Sequence, residues 1–253
     1  MDAMRSAIRY LFLATVIVAL AAFGSGAATA TMIGKPSTPA VSSIGPSNGQ
    51  VVGIAHPVTV RFAGPVADRA RTEQSIDITT TRPLPGTFAW TGDREVTWTP
   101  TGFLPADASI LVSVGGVRTE FRTNAGVFGD ANMSTHTFTL TVGGTVVRTM
   151  PASMGKPGYE TPTGTWPVLE KFRSVVFDSR TIGIPLSSPE GYIINGEFAE
   201  RLTWGGVFIH SAPWSVDQQG YANVSHGCIN LSRDDAEWVY HTIGVGDPVV
   251  THW

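Results

Sequence analysis

The sequence predicts a mainly β protein: an N-terminal antiparallel sandwich followed by a second β-rich unit with one or two short helices. Three observations point there. Glycine and proline are abundant, at 28 and 17 of 253 residues, which multiplies turns and shortens helices. Short runs in which apolar and polar residues alternate recur along most of the chain, the signature of half-buried strands. A single segment carries a convincing helical period. Hydrophobic residues make up 42% and charged residues 15%, enough apolar surface to bury a core, so wholesale disorder is excluded. Lysine plus arginine number 17 against 20 acidic residues, a formal net charge of −3. No basic block stands out, which argues against a nucleic-acid partner.

The chain opens as an export signal does. Arg5 and Arg9 precede an apolar run from Leu11 to Phe23, too short for an ordinary membrane span, and Ala28-Thr29-Ala30 fits a signal-peptidase site. Residues 1–30 are therefore expected to be a signal peptide, or an N-terminal anchor if uncleaved. Residues 31–47, rich in Pro, Ser, Thr and Gly, read as a linker. From residue 48 to 124, Val58, Val60 and Phe62 alternate with polar residues, as do Phe88 and Trp90, Val96 and Trp98, and Ile110, Val112 and Val114. Turn residues separate them at Gly64-Pro65, Pro83 to Gly86, Gly92-Asp93 and Gly102 to Pro105. That spacing predicts the sandwich, and no nucleophile or ligand cluster falls in it.

The second unit is expected over 127–253. Thr137 to Val142 and Thr145 to Arg148 flank Gly143-Gly144, a strong hairpin signal. Further strands are expected at Ser174 to Phe177, Gly206 to His210 and Pro248 to Thr251. Ser232 followed by Asp235 resembles a capping box, and Ala236, Val239, Tyr240 and Ile243 give the helical stripe, closed by Gly244 and Gly246.

The chemistry concentrates between His210 and Cys228. Cys228 is the one cysteine, so it forms no intramolecular disulfide, and an exported chain keeps a free thiol in an oxidising compartment. His210 closes an apolar run, as at a strand end. Gly227 lets the backbone turn and brings a carbonyl close to main-chain N–H groups. An imidazole beside a thiol can take its proton and yield a thiolate–imidazolium pair able to attack an acyl carbonyl. The N–H groups around Gly227 and Cys228 are candidate oxyanion donors. A lone cysteine is ordinarily a small buried hydrophobe, and His210, His226 and Cys228 also suggest zinc, but a further ligand is missing and a metal would quench the nucleophile. The segment Ser179 to Trp204, with Gly183, Gly191 and Gly196, is a candidate lid that limits water. These residues alone describe an exported cysteine acyl-transfer enzyme and leave transfer and hydrolysis both open.

His210-Ser211-Ala212-Pro213-Trp214-Ser215 followed by Ser225-His226-Gly227-Cys228-Ile229-Asn230 resembles the signature of the L,D-transpeptidases, with their YkuD-type catalytic domain. The preceding unit and the export signal resemble the mycobacterial type with one N-terminal Ig-like domain. The resemblance implies a donor tetrapeptide stem of peptidoglycan and an acceptor stem as substrates. Cys228 would attack the diaminopimelate–D-Ala bond, release D-Ala, and pass the acyl group to a diaminopimelate amine, forming 3→3 cross-links in cell-wall biogenesis. His210 matches the general base, its second ring nitrogen donating to the Ser211 carbonyl. His226 and Gly227 match the pocket, Tyr192 a lid tyrosine, Gly205 and Gly206 the strand edge that pairs with the stem, and Asn230 a substrate contact. Carbapenems are the implied inhibitors; no cofactor and no metal are implied. Phe177 departs from the methionine that relatives often carry at the pocket wall. The rival readings are a cysteine L,D-carboxypeptidase or amidase and a non-catalytic wall-binding module.

Overall fold

The alternating runs of the N-terminal unit fold as eight strands: β1 (Val41–Gly45), β2 (Val51–Val52), β3 (Val58–Phe62), β4 (Asp77–Thr79), β5 (Gly86–Thr91), β6 (Glu95–Pro100), β7 (Ser109–Val114) and β8 (Val117–Thr123). The computed structural model describes residues 38–253; the expected signal segment and residues 31–37 of the expected linker lie outside them. The strands form two four-stranded sheets, β1-β3-β6-β5 and β2-β8-β7-β4. Alternation sorts the side chains: in β3, Val58, Val60 and Phe62 are buried while Arg61 is exposed. Val58 and Trp98 of one sheet then meet Ile110, Val112 and Phe121 of the other, the inner layer of a sandwich.

Two features of this unit differ from expectation. The stretch read as linker contains β1, antiparallel to β3 with Ile44 opposite Val60. As an edge strand it leaves much of its length polar and wet, so its composition reads as loop. A six-residue helix, α1 (Arg69–Gln74), capped by the Asp68 carboxylate accepting from Arg71 N at 3.1 Å, was not expected. It is too short to display an apolar stripe.

The second unit contains β9 (Val127–Asn132), β10 (Thr137–Val142), β11 (Thr145–Pro151), β12 (Gly164–Pro167), β13 (Glu170–Asp178), β14 (Ile193–Arg201), β15 (Phe208–Ser211), β16 (Ile229–Leu231), α2 (Arg233–Thr242) and β17 (Pro248–His252). One sheet runs β11-β10-β9-β17-β12 and the other β13-β14-β15-β16. Gly143 and Gly144 turn the β10–β11 hairpin with φ of +57° and +81°, the left-handed pair that a tight hairpin turn needs. Ser232 accepts from Asp235 N to start α2. The helix packs Ala236 and Val239, with Ile243 just past its end, in one core with Phe198, Ile209 and Ile229 of the second sheet.

The segment expected as a lid is only half loop. Residues 193–201 are β14, paired along its length with β13, and the excursion is confined to 179–192. Gly205 and Gly206 also lie outside a strand. Gly206 has φ of +97°, incompatible with extended backbone, and the two residues form a turn closed by Gly206 N donating to the Thr203 carbonyl at 3.2 Å. The strand begins at Phe208.

The two units meet through main-chain groups. Gly53 N donates to the Val245 carbonyl at 2.9 Å and Ala55 N to the Gly246 carbonyl at 2.8 Å. The Asn124 amide donates to both carboxylate oxygens of Asp247, at 2.8 and 2.9 Å.

Candidate active site

Parallel pairing of β15 with β16 builds the site. Ile209 lies opposite Ile229 and His210 opposite Asn230, which sets Cys228, one residue before β16, beside the start of β15. His210 and Cys228 line one cavity of about 440 Å³, with Phe177, Tyr192, Arg201, Trp204, Trp214 and Asn230 among its walls. The thiol donates to the Gly206 carbonyl at 3.6 Å. Gly227, at φ of +114°, makes the turn that delivers the cysteine, a conformation L side chains rarely adopt. Its neighbours are braced from both sides. Thr161 Oγ1 donates to the Gly227 carbonyl at 2.9 Å, and Ser225 Oγ donates to the Cys228 carbonyl at 2.6 Å.

His210 is buried, its Nδ1 at 2.8 Å from the Ser211 carbonyl. That contact requires Nδ1–H, so Nε2 carries the lone pair and has no partner among the described residues. Phe177 lies 4.6 Å from the imidazole and Trp214 lies 5.9 Å away, centroid to centroid. Desolvation lowers the imidazole to about 4, only partly offset by the Ser211 bond. It raises the thiol to about 11, opposed by the Phe208 main chain. Burial therefore favours the neutral form of both groups, and the resting site holds thiol and imidazole rather than the ion pair the sequence suggested.

The other expected residues are distributed around this pair. Tyr192 stands at the neck of the 179–192 loop, its N–H donating to Ser179 Oγ at 3.0 Å; burial raises its phenol to about 12, so it stays a hydroxyl. Asn230 is buried, donates through Nδ2 to Ser215 Oγ at 3.2 Å, and has an Oδ1 without a partner. Ser211 contributes its carbonyl. The Gly227 N–H, expected as an oxyanion donor, is engaged by Ser225 Oγ at 3.1 Å. His226 sends Nε2 to the Glu190 carboxylate at 2.7 Å, away from the role of base. Sequence reasoning missed the Trp214 contact with His210 and the Lys156–Glu190 pair at 2.6 Å. Trp214, within the motif itself, was the available signal for the first; nothing local signals the second. Among the described residues no group of three His, Cys, Asp or Glu side chains is placed to hold a metal ion.

A family model described as the L,D-transpeptidase catalytic domain matches residues 126–251, and one described as a bacterial Ig domain matches residues 22–117. L,D-transpeptidase 1 of Mycobacterium tuberculosis is 47% identical over 247 residues, covering 97% of this chain and 98% of that protein. The chain belongs to the L,D-transpeptidase family. Probable L,D-transpeptidase 3 of the same organism is 42% identical over 232 residues, covering 83% of this chain and 86% of that protein. The solved structure of an L,D-transpeptidase from Mycobacterium smegmatis superposes with a TM-score of 0.82 at 55% identity, over 86% of this chain and 100% of that one. An LD transpeptidase in complex with imipenem superposes with a TM-score of 0.80 at 49% identity, over 85% of this chain and 100% of that one. Membership makes this L,D-transpeptidase an acyl-transfer enzyme and favours that reading over the wall-binding module. The sandwich is its bacterial Ig domain.

Proposed function

We propose that this L,D-transpeptidase cross-links peptidoglycan stems outside the cytoplasmic membrane, with Cys228 as nucleophile and His210 as base. One observation carries the assignment: the two side chains line one cavity, His210 from β15 and Cys228 from the turn just before β16, with Nδ1 of His210 tied to the Ser211 carbonyl and Nε2 left open. The sulfur attacks the carbonyl of the diaminopimelate–D-Ala bond as its proton passes to His210 Nε2. The carbonyl oxygen becomes an oxyanion, for which the Cys228 N–H is the assigned donor, since the Gly227 N–H is engaged by Ser225. Collapse breaks the C–N bond, and Nε2–H protonates the departing amine of D-Ala. The acyl chain remains on sulfur as a thioester. A diaminopimelate amine of the second stem then attacks, gives its proton to Nε2, and the sulfur leaves and recovers that proton.

The unpartnered Asn230 Oδ1 suits a stem N–H, because a buried acceptor without a partner is costly until substrate supplies one. Tyr192, whose neutral hydroxyl lines the cavity, is assigned as a donor to the bound stem. The Gly205-Gly206 turn exposes main chain at the cavity edge, and we assign it to the backbone of the stem. A carbapenem enters as a strained acyl donor and acylates Cys228; the imipenem complex of a relative supports this. The expected signal segment supports export.

The test uses purified tetrapeptide stems and mass spectrometry. The expected products are free D-Ala and a stem dimer. Cys228→Ala is expected to abolish the dimer and also the mass increase on adding a carbapenem. Tripeptide without dimer would overturn transfer in favour of a cysteine L,D-carboxypeptidase.

A further inference from the structure

Glu190 lies two residues before Tyr192, near the C-terminal end of the 179–192 excursion, and its carboxylate reaches Lys156 and His226. One carboxylate oxygen, Oε2, accepts from Lys156 Nζ at 2.6 Å and from His226 Nε2 at 2.7 Å. The partners come from two other segments, both rigid. Lys156 N donates to the Ser225 carbonyl at 3.0 Å, Ser225 N donates to the Met154 carbonyl at 2.9 Å, and Ser153 exchanges main-chain bonds with Asn230. Gly155 lets the 155–161 turn that carries Lys156 fold tightly on itself, since a Cβ there would fall 2.1 Å from the Tyr159 carbonyl oxygen. His226 is one residue from Gly227 and two from the sulfur. Its ring is packed between Tyr159 at 4.8 Å and Tyr192 at 5.2 Å.

The excursion itself is hydrogen-bonded mainly to itself. Ser179 N donates to the Tyr192 carbonyl, Ile184 N to Ser179, Ser188 N to Pro185 and Gly191 N to Ser188; Arg180 and Thr181 bond to Asp178, at its base. Among the described residues, the two bonds at Glu190 are the only hydrogen bonds joining residues 180–191 to the molecule beyond 178–192. The His226 bond crosses from the loop to the strand-end turn that carries the nucleophile, and the Lys156 bond reaches the segment hydrogen-bonded beside that turn. Lys156 and then His226 hold the Glu190 carboxyl below its ordinary range, so the acceptor is an anion near neutral pH.

We infer that Glu190, clamped by Lys156 and His226, is a positioning residue that latches the 179–192 loop over the thioester and sets how the acyl-enzyme divides between amine and water. This rests on the proposed cysteine transfer chemistry and adds what controls its outcome. With the latch closed, Tyr192 lies against His226 and the cavity is walled on that side. With it open, the loop is tethered only at its neck, and water reaches an ester that would otherwise wait for the acceptor amine.

The experiment compares wild type with Glu190→Ala, Lys156→Met and Glu190→Gln, on two readouts. The first is amide hydrogen exchange across 179–192 in the protein alone. Exchange is expected to quicken up to roughly fivefold in the first two variants, the effect of losing a half-exposed ion pair. Glu190→Gln, which keeps an acceptor oxygen, is expected to fall between. The second is the ratio of tripeptide to dimer from tetrapeptide stems, expected to rise in the same order while a carbapenem still adds its mass to every variant. Unchanged exchange in Glu190→Ala and Lys156→Met would overturn the latch, and so would dimer and tripeptide falling together at a constant ratio. A wild-type protein that forms no dimer would overturn the transfer reading instead, and the exchange result would then decide the latch alone.

Discussion

Burial moves the two reacting groups in opposite directions on the pH scale, and both moves favour the uncharged form. With the thiol at about 11 and the imidazole at about 4, passing the proton from sulfur to nitrogen in the resting site is uphill by on the order of 10 kcal/mol before attraction is counted. An ion pair at contact returns about 4 kcal/mol at an effective dielectric constant of ~20, which does not close the gap. In the proposed mechanism proton transfer therefore accompanies attack on a carbonyl, with His210 as a neutral base whose free lone pair is fixed at Nε2 by the Ser211 carbonyl. Two pH profiles follow. The raised thiol leaves the thiolate scarce, so alkylation of Cys228 by iodoacetamide is expected to climb about tenfold per pH unit from pH 6 to 9. The lowered imidazole loses its base form only as pH falls through about 4, so acylation by a carbapenem is expected to stay nearly flat above pH 5. An alkylation rate that levels off near pH 5–6 would mean a preformed thiolate and would overturn the neutral pair.

The β13–β14 hairpin holds Phe177 against the base, and one glycine makes the room. A Cβ on Gly196 would sit 2.2 Å from the Phe177 ring, while Phe177 touches Phe208 at 5.1 Å and His210 at 4.6 Å, centroid to centroid. The ring is bounded by Phe208 and the imidazole and otherwise faces the cavity, so an added methyl drives it toward the base or into the substrate space. Gly196→Ala is thus expected to destabilise the protein by about 1–3 kcal/mol through overpacking and to slow acylation by a carbapenem. Adding Phe177→Ala is expected to restore part of the acylation rate. An additive double variant would show that the two side chains do not share that space. The hairpin illustrates which elements the sequence declares. Gly143-Gly144, the Ser232 cap with its stripe through Ala236 and Val239, and the motif from Ser225 to Asn230 are local patterns, legible because adjacent residues generate them. Strand β14 inside the expected lid, the Gly205-Gly206 turn, β1 and α1 were not legible. The first breaks the alternation, with Ile193 exposed and Glu200 buried, the turn follows from a backbone angle, and the last two are an edge strand and a six-residue helix. The Glu190 contacts join residues 34 and 36 positions apart, a pairing that only the tertiary fold creates.

At the scale of the molecule, the Ig domain and the catalytic domain form one compact unit over residues 38–253, joined where glycine turns and main-chain groups meet. That junction leaves no side-chain pattern in the sequence. A Cβ on Gly53 would fall 2.0 Å from Asp247 N, so the backbones approach as closely as glycine permits. The polar tie is Asn124 to Asp247. Asp247 is fully buried, and burial raises its carboxyl to about 6, against the opposing pull of the Gly244 N–H, the Asn124 amide and Lys171. A folded-state value above the unfolded one means that stability from the neutral carboxyl is present below about pH 4 and is lost as pH rises through about 6. Above that point the carboxylate depends on its donors, and two of its bonds come from Asn124. Removing them with Asn124→Ala is expected to cost about 1.5–3 kcal/mol at pH 8, where the acceptor is charged, and about 1 kcal/mol at pH 5, where it is largely neutral. Urea denaturation at the two pH values measures the difference. Equal losses at pH 5 and 8 would show that Asp247 does not titrate between them, and a larger loss at pH 5 would reverse the sign of the argument, placing the strain of this junction on the neutral acid instead of the buried anion.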